Sequence, residues 1–169
     1  MAGVAPNLNP TAYDLIYPEA IGRLIANLAT LEFALRVALY LMDTPAAERR
    51  PLSWRYADLN VGDAMPVSWL TDWRYLSQLI ETYNTRQLPA ELPGVDPGIS
   101  DLRNALAHGG ITASGTEPLS LVKFGWPRDG SVRVCEKHVM TLQWIGSQTE
   151  RALAAARAVI IRMHELRGS

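Results

Sequence analysis

The chain has 169 residues, 48% of them hydrophobic and 20% charged, with a formal net charge of −1. Those values fit a single globular domain over 1–169, large enough to bury a core without disulfide or metal staples. Sixteen basic residues against seventeen acidic ones exclude the strongly basic footprint of a sequence-independent nucleic-acid binder.

Cys135 is the one cysteine, so no internal disulfide forms and a reducing compartment fits. His108, His138 and His164 lie far apart, with no Cys-x-x-Cys or His-x-x-x-His spacing. No metal site and no cofactor is expected from them. No unbroken apolar run reaches the roughly 18 residues that cross a bilayer. The opening MAGVAPNLNP has neither a basic start nor an apolar signal core. A cytoplasmic protein with no membrane partner is the expectation.

Residues 1–17 are mixed and proline-containing, and read as an N-terminal arm. Pro18 suits the first turn of a helix, where a missing N–H costs nothing. From there Leu24, Leu28, Leu31, Leu35, Leu39 and Met42 recur at spacings of three and four, which predicts one long amphipathic helix. Asp43-Thr44-Pro45 stops it. Glu32 lies on its apolar flank and is placed to pair with Arg36 four residues on.

Residues 45–65 are irregular. Arg49, Arg50 and Arg55, interleaved with Trp54 and Tyr56, fit a basic, stacking surface for RNA, and equally an exposed loop of solvated arginines anchored by one tryptophan. A second helix is predicted over about 67–83, with Trp69, Trp73, Leu76 and Ile80 as its apolar stripe. Pro89, Pro93 and Pro97, with Gly94 and Gly98, then make a loop.

The third helix, capped by Asp96 or Ser100, runs to His108. Gly109 and Gly110 follow, a pair suited to the left-handed C′ conformation that ends helices. Ile99, Leu102 and Leu106 mark its buried side. After it, residues 119–126 and 131–135 flank Pro127-Arg128-Asp129-Gly130, a turn sequence, and predict a β-hairpin over 119–135. Leu142, Ile145, Leu153, Ala156, Ile160 and Met163 carry a last helix from about 141 to 166. The expected fold is mainly α: about four main helices in a bundle, with a hairpin inserted before the last.

The chemistry gathers in Arg103-Asn104-Ala105-Leu106-Ala107-His108. It holds a cation, an amide and the side chain that titrates near neutrality. The same residues also suit structural duties: Arg103 paired with Asp101 or Glu32, Asn104 bonded to a loop, His108 capping carbonyls. Arg103 and His108 stand about 140° apart on a helical wheel, at about 100° per residue. They do not converge from one isolated helix, and a second copy facing the first would bring them together.

This segment resembles the HEPN superfamily of helical domains, whose signature is an arginine, four to six residues, then a histidine, commonly with a polar residue after the arginine. Arg103, Asn104 and His108 match it in order and spacing, and Glu32 in the long first helix is similar to the family's internal acidic residue. The resemblance implies metal-independent RNA cleavage at a homodimer interface. It implies that Arg103 binds the scissile phosphate, that Asn104 orients, and that His108 serves as general acid or base. Glu32 would support Arg103. The products would end in 2′,3′-cyclic phosphate. Such domains also serve as toxins or defence effectors with a cognate antitoxin, or as non-catalytic dimeric binding modules.

Overall fold

The computed structural model describes residues 12–49, 60–64, 67–71, 73–87, 93–112 and 118–168. Among the described residues four α-helices dominate: α1 (Ala12–Asp43), α2 (Leu76–Gln87), α3 (Gly98–His108) and α4 (Leu142–Gly168). Three short strands, β1 (Gly110–Thr112), β2 (Leu119–Phe124) and β3 (Val134–Met140), form an antiparallel sheet in the order β1-β2-β3. The helical bundle with β structure before the last helix is therefore present, as the sequence pattern predicts.

α1 and α4 are the frame. They lie side by side in the same direction: Ile16–Arg23 flanks Leu142–Glu150, and Asn27 Nδ2 donates to Thr149 O at 3.4 Å. Leu24, Leu28, Leu31, Leu35 and Leu39 from α1 meet Ile145, Ala152, Ala156 and Val159 from α4 in one buried core. Thr141 Oγ1 accepts the Trp144 N–H at 3.0 Å and caps the start of α4.

α1 begins at Ala12, ahead of the position Pro18 predicts. Pro18 sits inside the helix on its exposed side, while Tyr17 and Ile21 beside it enter the core. Packing on those neighbours carries the helix through one missing backbone donor. Ile16–Asp43 also proves long and apolar enough to cross a bilayer, with a mean hydropathy of 1.6. Charged residues break each apolar run without lowering the average enough. Half of that window is buried within the protein.

Parallel helices bring two negative dipole ends together, and Arg49 sits between them. Its Nη2 donates to Leu41 O at 3.2 Å and its Nε to Thr44 O at 3.0 Å, at the end of α1. Its Nη1 donates to Leu166 O at 2.6 Å, in the last turns of α4. A guanidinium bonded to terminal carbonyls satisfies orphan acceptors and the dipoles at once. Arg49, expected on an RNA surface, is thus a clamp on two helix ends. Arg50 and Arg55 lie outside the described residues, as do Trp54 and Tyr56.

α2 starts at Leu76, well after the predicted 67. Ser68 and Thr71 divert the preceding chain into a turn: the Ser68 N–H donates to Thr71 Oγ1 and the Thr71 N–H to Ser68 O. Gln78 Oε1 accepts the Tyr75 N–H at 3.1 Å, one half of a capping box that sets the true start. Leu76 and Ile80 are buried as expected, whereas Trp73 is 96% exposed and no part of the core.

The predicted hairpin turn is present. Asp129 and Gly130 both have positive φ, and Arg128 and Ser131 exchange two backbone hydrogen bonds across them. The sheet is larger than a hairpin, because β1 adds a third strand and β3 reaches Met140. Leu121 and Met140 turn inward to the core. Cys135 is exposed.

Candidate functional site

α3 is held at both ends. At its start Asp96 Oδ1 accepts the Gly98 N–H at 2.8 Å, and Asp96 Oδ2 takes Arg151 Nε of α4 at 3.1 Å. The Arg151 guanidinium and the Gly98 N–H hold the Asp96 carboxyl below its usual range. Asn84 of α2 fixes the approach, donating to Val95 O and accepting the Val95 N–H. Asp96 is thus the capping side chain; Ser100 lies inside the first turn and donates to Pro97 O.

The far end works differently from the expected left-handed glycine. Gly109 has φ −84° and ψ 165°, an extended conformation open to any residue. Its glycine identity answers a close approach. A Cβ there would stand 2.4 Å from Ala105 O and 2.8 Å from Val122 O. The chain leaves α3 directly beneath β2 and pairs with it as β1, Gly110 opposite Val122. This crowding fixes the last turn of α3, where His108 sits.

Ile99, Leu102 and Ala105 bury the inner face of α3, and Leu106 packs beside them. Arg103 leaves toward α1, its side chain 37% exposed, with Nη2 at 3.8 Å from Glu32 Oε2. The other oxygen of Glu32 accepts from Arg36 Nη2 at 3.0 Å. Glu32, half-buried as expected, therefore bridges both arginines. Between α1 and α3 a cleft of about 280 Å³ opens, lined by Ile25, Leu28, Ala29, Glu32, Arg103, Leu106 and Ala107.

Asn104 is half-buried and His108 exposed. Among the described residues neither side chain has a hydrogen bond or ion pair. The structural duties the sequence allowed them, a loop bond and a carbonyl cap, are not what they do here. Arg103 and His108 project from separate flanks of α3, and His108 does not line the cleft that holds Arg103.

The flank carrying His108 also carries Asp101, seven residues earlier. Asp101 acts electrostatically on Lys123 of β2. Lys123 Nζ lies 2.5 Å from Glu136 Oε1, and His138 Nε2 lies 3.6 Å from Glu136 Oε2. The bond to Lys123 holds the Glu136 carboxyl below its ordinary range and pushes the Lys123 amine up. His138 stacks on Trp144 at 5.3 Å. Sequence reading missed this group. Its only trace was Glu136, His138 and Met140 alternating on one strand face.

No protein-family model, curated protein or solved structure matches the chain.

Proposed function

We propose that the protein is a metal-independent endoribonuclease that works as a homodimer in the manner of HEPN domains. The observation that supports this most is the pairing, on one short helix fixed at both ends, of a half-exposed Arg103 with Asn104 and His108, two polar side chains free of structural bonds. His108 is exposed and Asn104 half-buried, and among the described residues no other protein group engages either side chain, so both are open to a substrate.

In this reading Arg103 binds two oxygens of the scissile phosphate and stabilises the charge that develops there. Glu32 aims the guanidinium. His108 takes the proton of the 2′-hydroxyl as its oxygen attacks phosphorus, or delivers a proton to the departing 5′-oxygen. Asn104 orients the phosphate. A 2′,3′-cyclic phosphate and a free 5′-hydroxyl result, and DNA, without the 2′-hydroxyl, is not cut. Since Arg103 and His108 diverge on one helix, the arginine of one copy works with the histidine of the other.

The apolar walls of the α1–α3 cleft favour one other reading. Ile25, Leu28, Ala29, Leu106 and Ala107 would serve a non-catalytic dimeric module equally well. Incubation with structured RNA in EDTA separates the two. The nuclease cuts, leaves cyclic phosphate ends, and loses activity in Arg103→Ala and His108→Ala. The module leaves RNA intact in all three forms.

A further inference from the structure

Beyond Arg103, an open cavity of about 630 Å³ lies between the end of α1, the 67–74 segment and α2, and takes in Asp43, Trp69, Trp73, Arg74, Gln78 and Arg86. Trp69 is its wall: the indole N–H donates to Asp43, and the ring carries the Arg74 guanidinium at 4.0 Å and that of Arg86 at 5.2 Å. Arg86 also pairs with Asp43 through one terminal nitrogen. The amide oxygen of Gln78 is taken by the Tyr75 N–H, which leaves its NH₂ as a donor. Trp73, 96% exposed, holds both ring faces in water at the rim.

We propose that this cavity binds one unpaired nucleotide of the RNA strand that reaches Arg103, with its base stacked on Trp73 and its phosphate on the Arg86 guanidinium. An open indole is a platform for any base, and planar guanidinium forks suit phosphate oxygens. The volume lies within the range of small-molecule sites. Two side chains, Arg36 and Glu32, link it to Arg103. Arg36, bonded to Glu32, also donates to Trp69 O at 3.3 Å and to Arg74 O at 2.9 Å, so one arginine ties the cavity wall to the residue that holds Arg103. From Glu32 to Asp43 the rise along α1 is about 16 Å, within reach of a short single strand.

This subsite rests on the ribonuclease reading for its strand, and its test separates the two. The probe is a fluorescein-labelled oligouridine of about 12 nucleotides, with UMP as the free-nucleotide control, measured by anisotropy on the His108→Ala chain to prevent cleavage. Adding Trp73→Ala is expected to weaken binding about ten- to a hundredfold with unchanged far-UV circular dichroism, and Trp73→Phe to recover most of it. Trp126→Ala, at a residue 91% exposed on the hairpin, is expected to bind as the parent does. Equal affinity with and without Trp73, an equal loss in Trp126→Ala, UMP binding as tight as the oligomer, or no binding by the parent overturns the subsite. Trp73-dependent binding by a His108-containing chain that never cuts RNA keeps the subsite and removes the nuclease. Undiminished cleavage by Trp73→Ala does the reverse.

Discussion

Gly109 and Gly110 are neighbours, and the structure assigns them opposite responses to the same substitution. In Gly109→Ala the new methyl must displace either Ala105 O at 2.4 Å or Val122 O at 2.8 Å, both backbone atoms in regular structure. Overpacking of that kind costs about 1–3 kcal/mol. The lost freedom of the unfolded chain returns about 0.4–1 kcal/mol, because φ −84° suits alanine. The net is a loss of about 1–2 kcal/mol, or about 2–8 °C in Tm for a chain of this size. A Cβ on Gly110 meets nothing within 4 Å, so Gly110→Ala is neutral or gains up to about 1 kcal/mol. Thermal unfolding followed by circular dichroism at 222 nm reads both. Gly109→Asn sharpens the comparison, since asparagine tolerates the left-handed conformation but not the crowding. It is expected to fall at least as far as alanine. An unchanged Tm for Gly109→Ala, or rescue by Gly109→Asn, refutes the steric account of how α3 ends.

Arg49→Ala removes a charged donor from two helix ends and is expected to cost about 1–3 kcal/mol, read as a Tm several degrees lower; Arg49→Lys, which lacks the planar fork, recovers little of it. Burial pushes the Tyr83 phenol up to about 12, so the folded chain keeps a proton that the unfolded chain loses near 10. Stability from this residue is complete below pH 10 and declines as the pH rises toward 12, and denaturant midpoints measured across that range show the decline in the parent and not in Tyr83→Phe. Glu32→Gln leaves Arg103 without its carboxylate and is expected to slow RNA cleavage about tenfold, less than Arg103→Ala, with the pH profile of cleavage unchanged.

The helices that frame the bundle were legible because their burial is continuous: Leu24 to Leu39 in α1 and Ile145 to Ala156 in α4 keep a period that no local bond interrupts. Asp96 and Gly109 marked the ends of α3 correctly, although Gly109 does so through crowding and not through its φ. The false start of α2 has a specific cause. Trp69, Trp73, Leu76 and Ile80 have helical spacing, but Ser68 and Thr71 bond their own backbone and Gln78 caps Tyr75. Periodicity carries no information on such side-chain competition. β1 was invisible because three residues after a helix show no alternation, and its strand character comes from β2 lying opposite. Within the site, the order and spacing of Arg103, Asn104 and His108 were plain in the sequence. What was not plain was the reach of Arg36 to Trp69 O and Arg74 O and the cavity beside Trp69, since both depend on contacts between segments far apart in the chain.

The central claim is that Arg103 of one copy acts with His108 of another, and mixing inactive variants tests it most directly. Arg103→Ala and His108→Ala are each purified, combined in equal amounts, allowed to exchange subunits, and assayed on RNA in EDTA. Half of the resulting dimers carry one variant of each kind, and each of those holds one site with both residues intact. The account predicts no cleavage by either variant alone and about a quarter of the wild-type rate in the mixture. Wild-type protein that leaves the RNA uncut, or a mixture as inactive as its parts after exchange, contradicts it.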